Sequence, residues 1–281
     1  MTTSSMPPGP VATSADRLRQ VTLVVVGAAA MAVAAWGAGA FGGQEIQNAA
    51  SGALAADATV LAPGTGAFRV WSVIYLALIV TVILQALPSR AALPLHRTLG
   101  WWVLASLVLN AAWISAAQLG LLGLTVPIIG ALVAVLARCL VLLRARPAAP
   151  RLDSLIVGTT VGLYLGWVCV ATVANVTAVL AFSSWDLSFL PEGVWVTVVL
   201  AVAAAVCGVT ALAAGQRAVA IGVTLTSTWG LVWIAIGRLT AGPDSTITVV
   251  VALAAAAVVL LLGALGAVRA PRPATAPSPR A

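Results

Sequence analysis

The chain has no lysine, a single histidine (His96) and few charges of any kind: 7% of its residues, where a soluble domain carries about a quarter. With 62% hydrophobic residues, that scarcity excludes a water-soluble domain and identifies a polytopic membrane protein. A bilayer leaves unpaired backbone groups unsatisfied, and the apolar runs are about 20 residues or longer, so the spans are α-helices. The fold class is therefore all-α, a polytopic membrane helical bundle. Acidic residues number seven and none lies deep in a run, which argues against ion-coupled transport, where an ionisable group usually sits at depth. The three cysteines, Cys139, Cys169 and Cys207, lack metal-ligand spacing and read as small packing residues. No nucleotide loop, zinc motif or Ser-His-Asp set is visible. Neither a catalytic residue nor a metal ligand nor a required cofactor is expected, and enzymatic activity is not the first reading. His96 falls in a loop after the second run and reads as solvent-facing, not as a haem ligand.

What the chain has is apolar runs, eight of them, near 21–43, 69–88, 99–119, 122–145, 154–181, 194–214, 218–238 and 245–268. The fourth is split from the third by Gly120-Leu-Leu-Gly123. The first, at 23 residues, is too long for a secretory h-region of about 7–15 residues and reads as a retained helix. Residues 1–20 and 269–281, rich in Pro, Ser and Thr or Pro and Ala, read as flexible tails.

The net charge of +7 comes entirely from arginine. With the N-terminus inside, Arg17, Arg19, Arg90, Arg97, Arg138, Arg144, Arg146, Arg151, Arg217, Arg269, Arg272 and Arg280 fall on the inner side; only Arg69 and Arg238 fall outside. Twelve against two places both termini in the cytoplasm of a multi-pass cell-membrane protein. It also explains the basic charge without nucleic acid: the expected partner is the lipid bilayer.

Chemistry, where it exists, lies in rings and amides. Phe68, Trp71 and Tyr75 share a face of the second helix; Ser106, Asn110 and Trp113 share one on the third; Tyr164, Trp167, Ala171 and Asn175 share one on the fifth. Trp71, Asn110, Trp113 and Asn175 fall in the outer half and Trp167 near mid-depth. Such faces line a pocket for a flat apolar ligand, each ring contact adding roughly 0.5–1.5 kcal/mol beyond burial. The same residues also suit helix packing: the asparagines as interhelical hydrogen-bonding groups, Trp113 and Trp167 as rings wedged between helices. Trp101, Trp102, Trp185 and Trp195 read as interfacial belt residues. Thr224, Thr226, Ser227, Thr228, Trp229 and Trp233 on the seventh helix read as packing groups.

Phe68-x-x-Trp71-x-x-x-Tyr75, Leu109-Asn110-x-x-Trp113 and Tyr164-Leu-x-Trp167-Val-x-x-Ala171-Thr-x-x-Asn175 resemble, in order and spacing, the helix two, three and five signatures of the TspO/MBR (tryptophan-rich sensory protein, or translocator protein) family. The resemblance covers residues 21–181. It implies a five-helix membrane domain there, a three-helix extension over 182–268, and a pocket for porphyrins such as protoporphyrin IX beneath the first loop. Trp71, Tyr75, Asn110, Trp113, Tyr164, Trp167, Ala171 and Asn175 are the implied ligand-binding residues. The implied role is that of a receptor, sensor or carrier for tetrapyrroles, with a small-molecule permease or light-dependent porphyrin breakdown as alternatives, and a homodimer as the implied assembly. The chain departs from the family pattern at Leu61, Pro63-Gly64, Ser106 and Leu163, where a Trp, a double Pro, a Gln and a Pro are usual. A cholesterol pattern is absent, since no basic residue follows Tyr75 or Tyr164 within five positions.

Overall fold

The computed structural model describes residues 11–39, 42–145, 149–183 and 190–271. These form eight helices: α1 (Ser14–Gly37), α2 (Val70–Ala86), α3 (Pro94–Gln118), α4 (Leu122–Arg144), α5 (Arg151–Phe182), α6 (Glu192–Leu212), α7 (Arg217–Thr240) and α8 (Thr246–Arg269). All eight are long and apolar enough to cross a bilayer, α2 together with the short turn Thr65–Arg69 before it. Arg146, Pro147, Trp185, Asp186, residues 1–10 of the first tail and residues 272–281 of the last, with Arg272 and Arg280, lie outside the described residues.

Three helices start three or more residues before the apolar runs do. Helix α1 opens at Ser14 because Thr13 and Asp16 form a reciprocal capping box, so the polar stretch expected in a tail is helical. Helix α3 opens on Pro94, a residue preorganised for the first turn, and takes up His96 and Arg97. Helix α5 opens at Arg151 after Pro150 and runs for 32 residues.

Helices α1, α2, α5, α4 and α3 close a ring in that order, with their shared core inside it. Helices α6, α7 and α8 pack outside the ring, mainly through α7 on α5. Apolar side chains such as Leu76, Ile83, Val198 and Leu261 point outward, as lipid-facing residues do. Since lipid is as apolar as leucine, burial does not drive these helices together; close packing and hydrogen bonds do. The α5–α7 seam shows how. Gly158, Gly162 and Gly166 repeat every fourth residue on α5 and face Val219, Gly222 and Val223 on α7. A Cβ at Gly162 would lie 3.0 Å from the Val219 Cα, and one at Gly222 2.7 Å from the Leu163 nitrogen. Thr226 donates to the Leu163 carbonyl (2.8 Å) across the seam.

Both described chain ends lie at one end of the bundle, called here the terminal end. Charged groups meet there. Asp16 accepts from Arg19 (2.8 Å) and Arg97 (2.6 Å). His96 is not the solvent-facing loop residue that its sequence context predicts: it is fully buried, with Nε2 2.9 Å from Asp153 Oδ1, and Arg90 stands 3.4 Å from the same oxygen. The helix start at Pro94 turns it inward. Gln20 adds hydrogen bonds to the carbonyls of Gln85 and Leu87.

Candidate functional site

At the far end, the aromatic faces of α2, α3 and α5 come together inside the ring. Trp71 stacks on Tyr75 (5.1 Å between centroids) and meets Tyr164 (5.9 Å) and Trp167 (6.2 Å) edge-on. Phe68 meets Trp167 edge-on at 6.2 Å. The rings thus interlock with edges against faces, the arrangement their quadrupoles favour.

The amides are hydrogen-bonded between helices. Trp113 Nε1 donates to Asn175 Oδ1 (2.7 Å), and Asn175 Nδ2 donates to Thr125 Oγ1 (2.8 Å), so one carboxamide ties α3, α5 and α4 together. Asn110 Nδ2 donates to the Tyr75 hydroxyl (3.2 Å), and the Tyr164 hydroxyl donates to the Ser106 carbonyl (3.2 Å). Trp167 differs. It is 2% exposed, yet its indole N–H has no acceptor among the described residues.

Two narrow cavities flank this cluster. The larger is about 40 Å³, measured as space for the centres of water-sized spheres. Its walls are Trp113, Trp167, Ala171, Ala174, Asn175 and Ala178; its roof is the α1–α2 loop, through Ile46, Leu54, Thr59, Ala62 and Pro63. The smaller, about 20 Å³, lies among Trp71, Asn110, Trp113, Ile129, Trp167 and Ala171. Phe68, Trp113, Trp167 and Ala171 border both. Of the eight residues singled out in the sequence, six therefore line a cavity. Tyr75 and Tyr164 do not; they pack behind Trp71 as a floor. The roof residues carry no periodic signal, and Thr59 was missed for that reason. Its hydroxyl is buried and has no partner among the described residues.

A model of the TSPO-like protein family matches residues 20–265. The chain belongs to that family. The match runs from α1 nearly to the end of α8, beyond the first five helices where the aromatic motifs lie. In this TSPO-like protein the cavity therefore sits within a region of family character that includes the helices outside the ring. No curated protein and no solved structure gives a match.

The rest of the site follows from how this TSPO-like chain folds locally. Helix α5 presents glycines to α7 on one face and rings to α2 and α3 on the other, so both faces are spent on packing. Two of the four departures from the family pattern, Leu61 and Pro63-Gly64, fall in the roof; Ser106 and Leu163 lie on α3 and α5. Leu61 is fully buried against the α6–α8 core, and Gly64 lies against Trp233 and Gly237 of α7, where a Cβ would come within 3.0 Å of the indole.

Proposed function

We propose that this membrane protein is a receptor or carrier that takes flat, largely apolar ligands of the tetrapyrrole kind into the cavity beside Trp167. The observation that carries the reading is the pair of unpartnered buried donors on residues lining that cavity, Trp167 N–H and Thr59 O–H, in walls that are otherwise ring and alkyl apart from the hydrogen-bonded Asn175 amide. Buried polar groups are nearly always hydrogen-bonded, so an orphan donor at a cavity marks where a ligand acceptor belongs. A porphyrin offers the matching parts: a flat ring system to stack on indoles and carboxylates at its edge. The cavity holds little more than water in its present shape, so such a ligand enters as the roof loop moves aside. Below it, the tyrosine floor and the ion-paired terminal end are tightly packed, which favours a binding protein over a permease. With the arginine-rich terminal end in the cytoplasm, the cavity faces the outer leaflet.

Quenching of tryptophan fluorescence on titration with protoporphyrin IX tests this. Trp167→Phe keeps a ring but deletes the N–H, and should weaken binding about fivefold, the value of one hydrogen bond. Melting of the ligand-free protein should fall only by the packing lost with the smaller ring, because the deleted donor had no partner to lose. Binding unchanged in Trp167→Phe and in Trp113→Ala together would move the site elsewhere. Uptake of porphyrin by sealed proteoliposomes would replace receptor with permease.

A further inference from the structure

The roof of the cavity is held from outside the ring, by α7. Arg238 is 2% exposed, and among the described residues no carboxylate pairs with it. Its guanidinium donates instead to backbone carbonyls: Nη2 to Ala56 and to Ala62 (3.1 Å), and Nη1 to Pro243 (3.2 Å). One turn earlier, the Trp233 carbonyl accepts from the Gly64 N–H (2.9 Å), and its ring occupies the space a side chain at Gly66 would need. One further turn back, Trp229 Nε1 donates to the Ala67 carbonyl (2.9 Å). Within residues 53–64 the other backbone hydrogen bonds are short-range turns, so the long-range bonds holding this strap come from α7. The strap's inner side, through Thr59, Ala62 and Pro63, lines the cavity.

We infer that Trp229, Trp233 and Arg238 are positioning residues for ligand access: they latch residues 56–67 over the cavity, and the rate at which a ligand enters and leaves is set by release of that latch. A buried guanidinium suits the task. It can bridge two carbonyls of an irregular loop at once, and removing it leaves those carbonyls without donors. The three helices outside the ring are thereby part of the site. The latch rests on geometry alone; its effect on porphyrin rests on the function proposed above.

Hydrogen–deuterium exchange of the full-length protein in lipid nanodiscs reads the latch without ligand. In Arg238→Met, exchange across residues 53–64 should rise about tenfold or more, while α3 and α4 stay unchanged. Arg238→Lys, which keeps the charge on a single-headed donor, should recover part of the protection. Where Arg238→Met fails to fold, Trp229→Phe, which keeps a ring but loses the N–H to Ala67 and part of the contact with Trp233, carries the same comparison with an expected rise of about fivefold. Unchanged strap exchange in the folded variants overturns the latch. Access is read twice in the same variants: by N-ethylmaleimide labelling of Ala174→Cys, followed by peptide mass, and by protoporphyrin IX dissociation. Both should accelerate. A loosened strap with neither accelerated overturns control of access. A parent protein that binds no protoporphyrin IX, but whose position 174 labels faster once Arg238 is replaced, sinks the porphyrin reading and leaves the latch standing.

Discussion

The two ends of the bundle are closed in different ways. At the terminal end, charged groups meet: Asp16 with Arg19 and Arg97, and Asp153 with Arg90 and, through a hydrogen bond, with buried His96, all on helix starts or the tight turn between α2 and α3. At the far end the cavity is walled by neutral rings and amides, and the loop over them is held by hydrogen bonds to its backbone, among them those from one cation, Arg238. Ion pairs in a desolvated setting are hard to part, because each partner alone is a buried charge. Hydrogen bonds to an irregular loop part at lower cost. The contrast separates a fixed end from an openable one, and it puts the cavity where opening is cheap.

Three variants break or sharpen that contrast. The largest effect should come from Asp153→Asn, which removes the counter-charge beside Arg90 and the carboxylate that holds the buried His96 ring. Losing a buried charge-assisted hydrogen bond and the partner of a mostly buried cation costs about 3 kcal/mol, so the variant should unfold well before the parent in a detergent melt, while any folded fraction keeps the proposed protoporphyrin affinity within about twofold. Equal melting would show that the terminal end is not the fixed one. Next is Gly162→Leu, whose side chain has no room against the Val219 backbone; overpacking of this kind costs about 1–3 kcal/mol. It should lower the melting point and, by shifting α7, also raise exchange in the roof strap. A drop in stability with a quiet strap would uncouple α7 from the roof. The smallest effect is expected for Asn175→Ala. Trp113 and Thr125 each lose a partner, at about 1–2 kcal/mol in total, and the change should appear as altered tryptophan emission with the terminal end unperturbed in exchange.

Much of this was legible in the residues themselves. Eight apolar runs give eight helices, and the three-four spacing of Trp71, Tyr75, Asn110, Trp113, Tyr164, Trp167, Ala171 and Asn175 brings six of them to cavities and two just behind. Helix periodicity fixes which face a residue takes, and the shared membrane depth brings faces together. Most of the failures depend on partners distant in the chain; the start of α1 is the exception, since its capping box joins Thr13 and Asp16. His96 is buried because Asp153 lies 57 positions away. Pro94 marks a helix start and hints at the turn inward, but nothing local names the acid. Arg238 reads in the sequence as one of two charges on the outer side and nothing more, since its acceptors are carbonyls, which every residue has. Thr59 sits in a segment without period. The Gly158-Gly162-Gly166 spacing could have been read as a helix-contact stripe; what it contacts could not. The family match reaches past the aromatic motifs into α8, where small and aliphatic residues carry no spacing that the eye can follow.

The glycine seam has a mechanical consequence. Between α5 and α7 the backbones touch at Gly162, Gly166 and Gly222, and the side chains beside them, such as Val219, Val223 and Thr226, are β-branched with few rotamers, so the pair has little compliance and is expected to move as a single beam. One side of that beam carries the ring-lined wall and the other carries the catch for the roof. Any enlargement of the hollow must then come from peeling the covering segment away, since the wall and the catch cannot separate from each other.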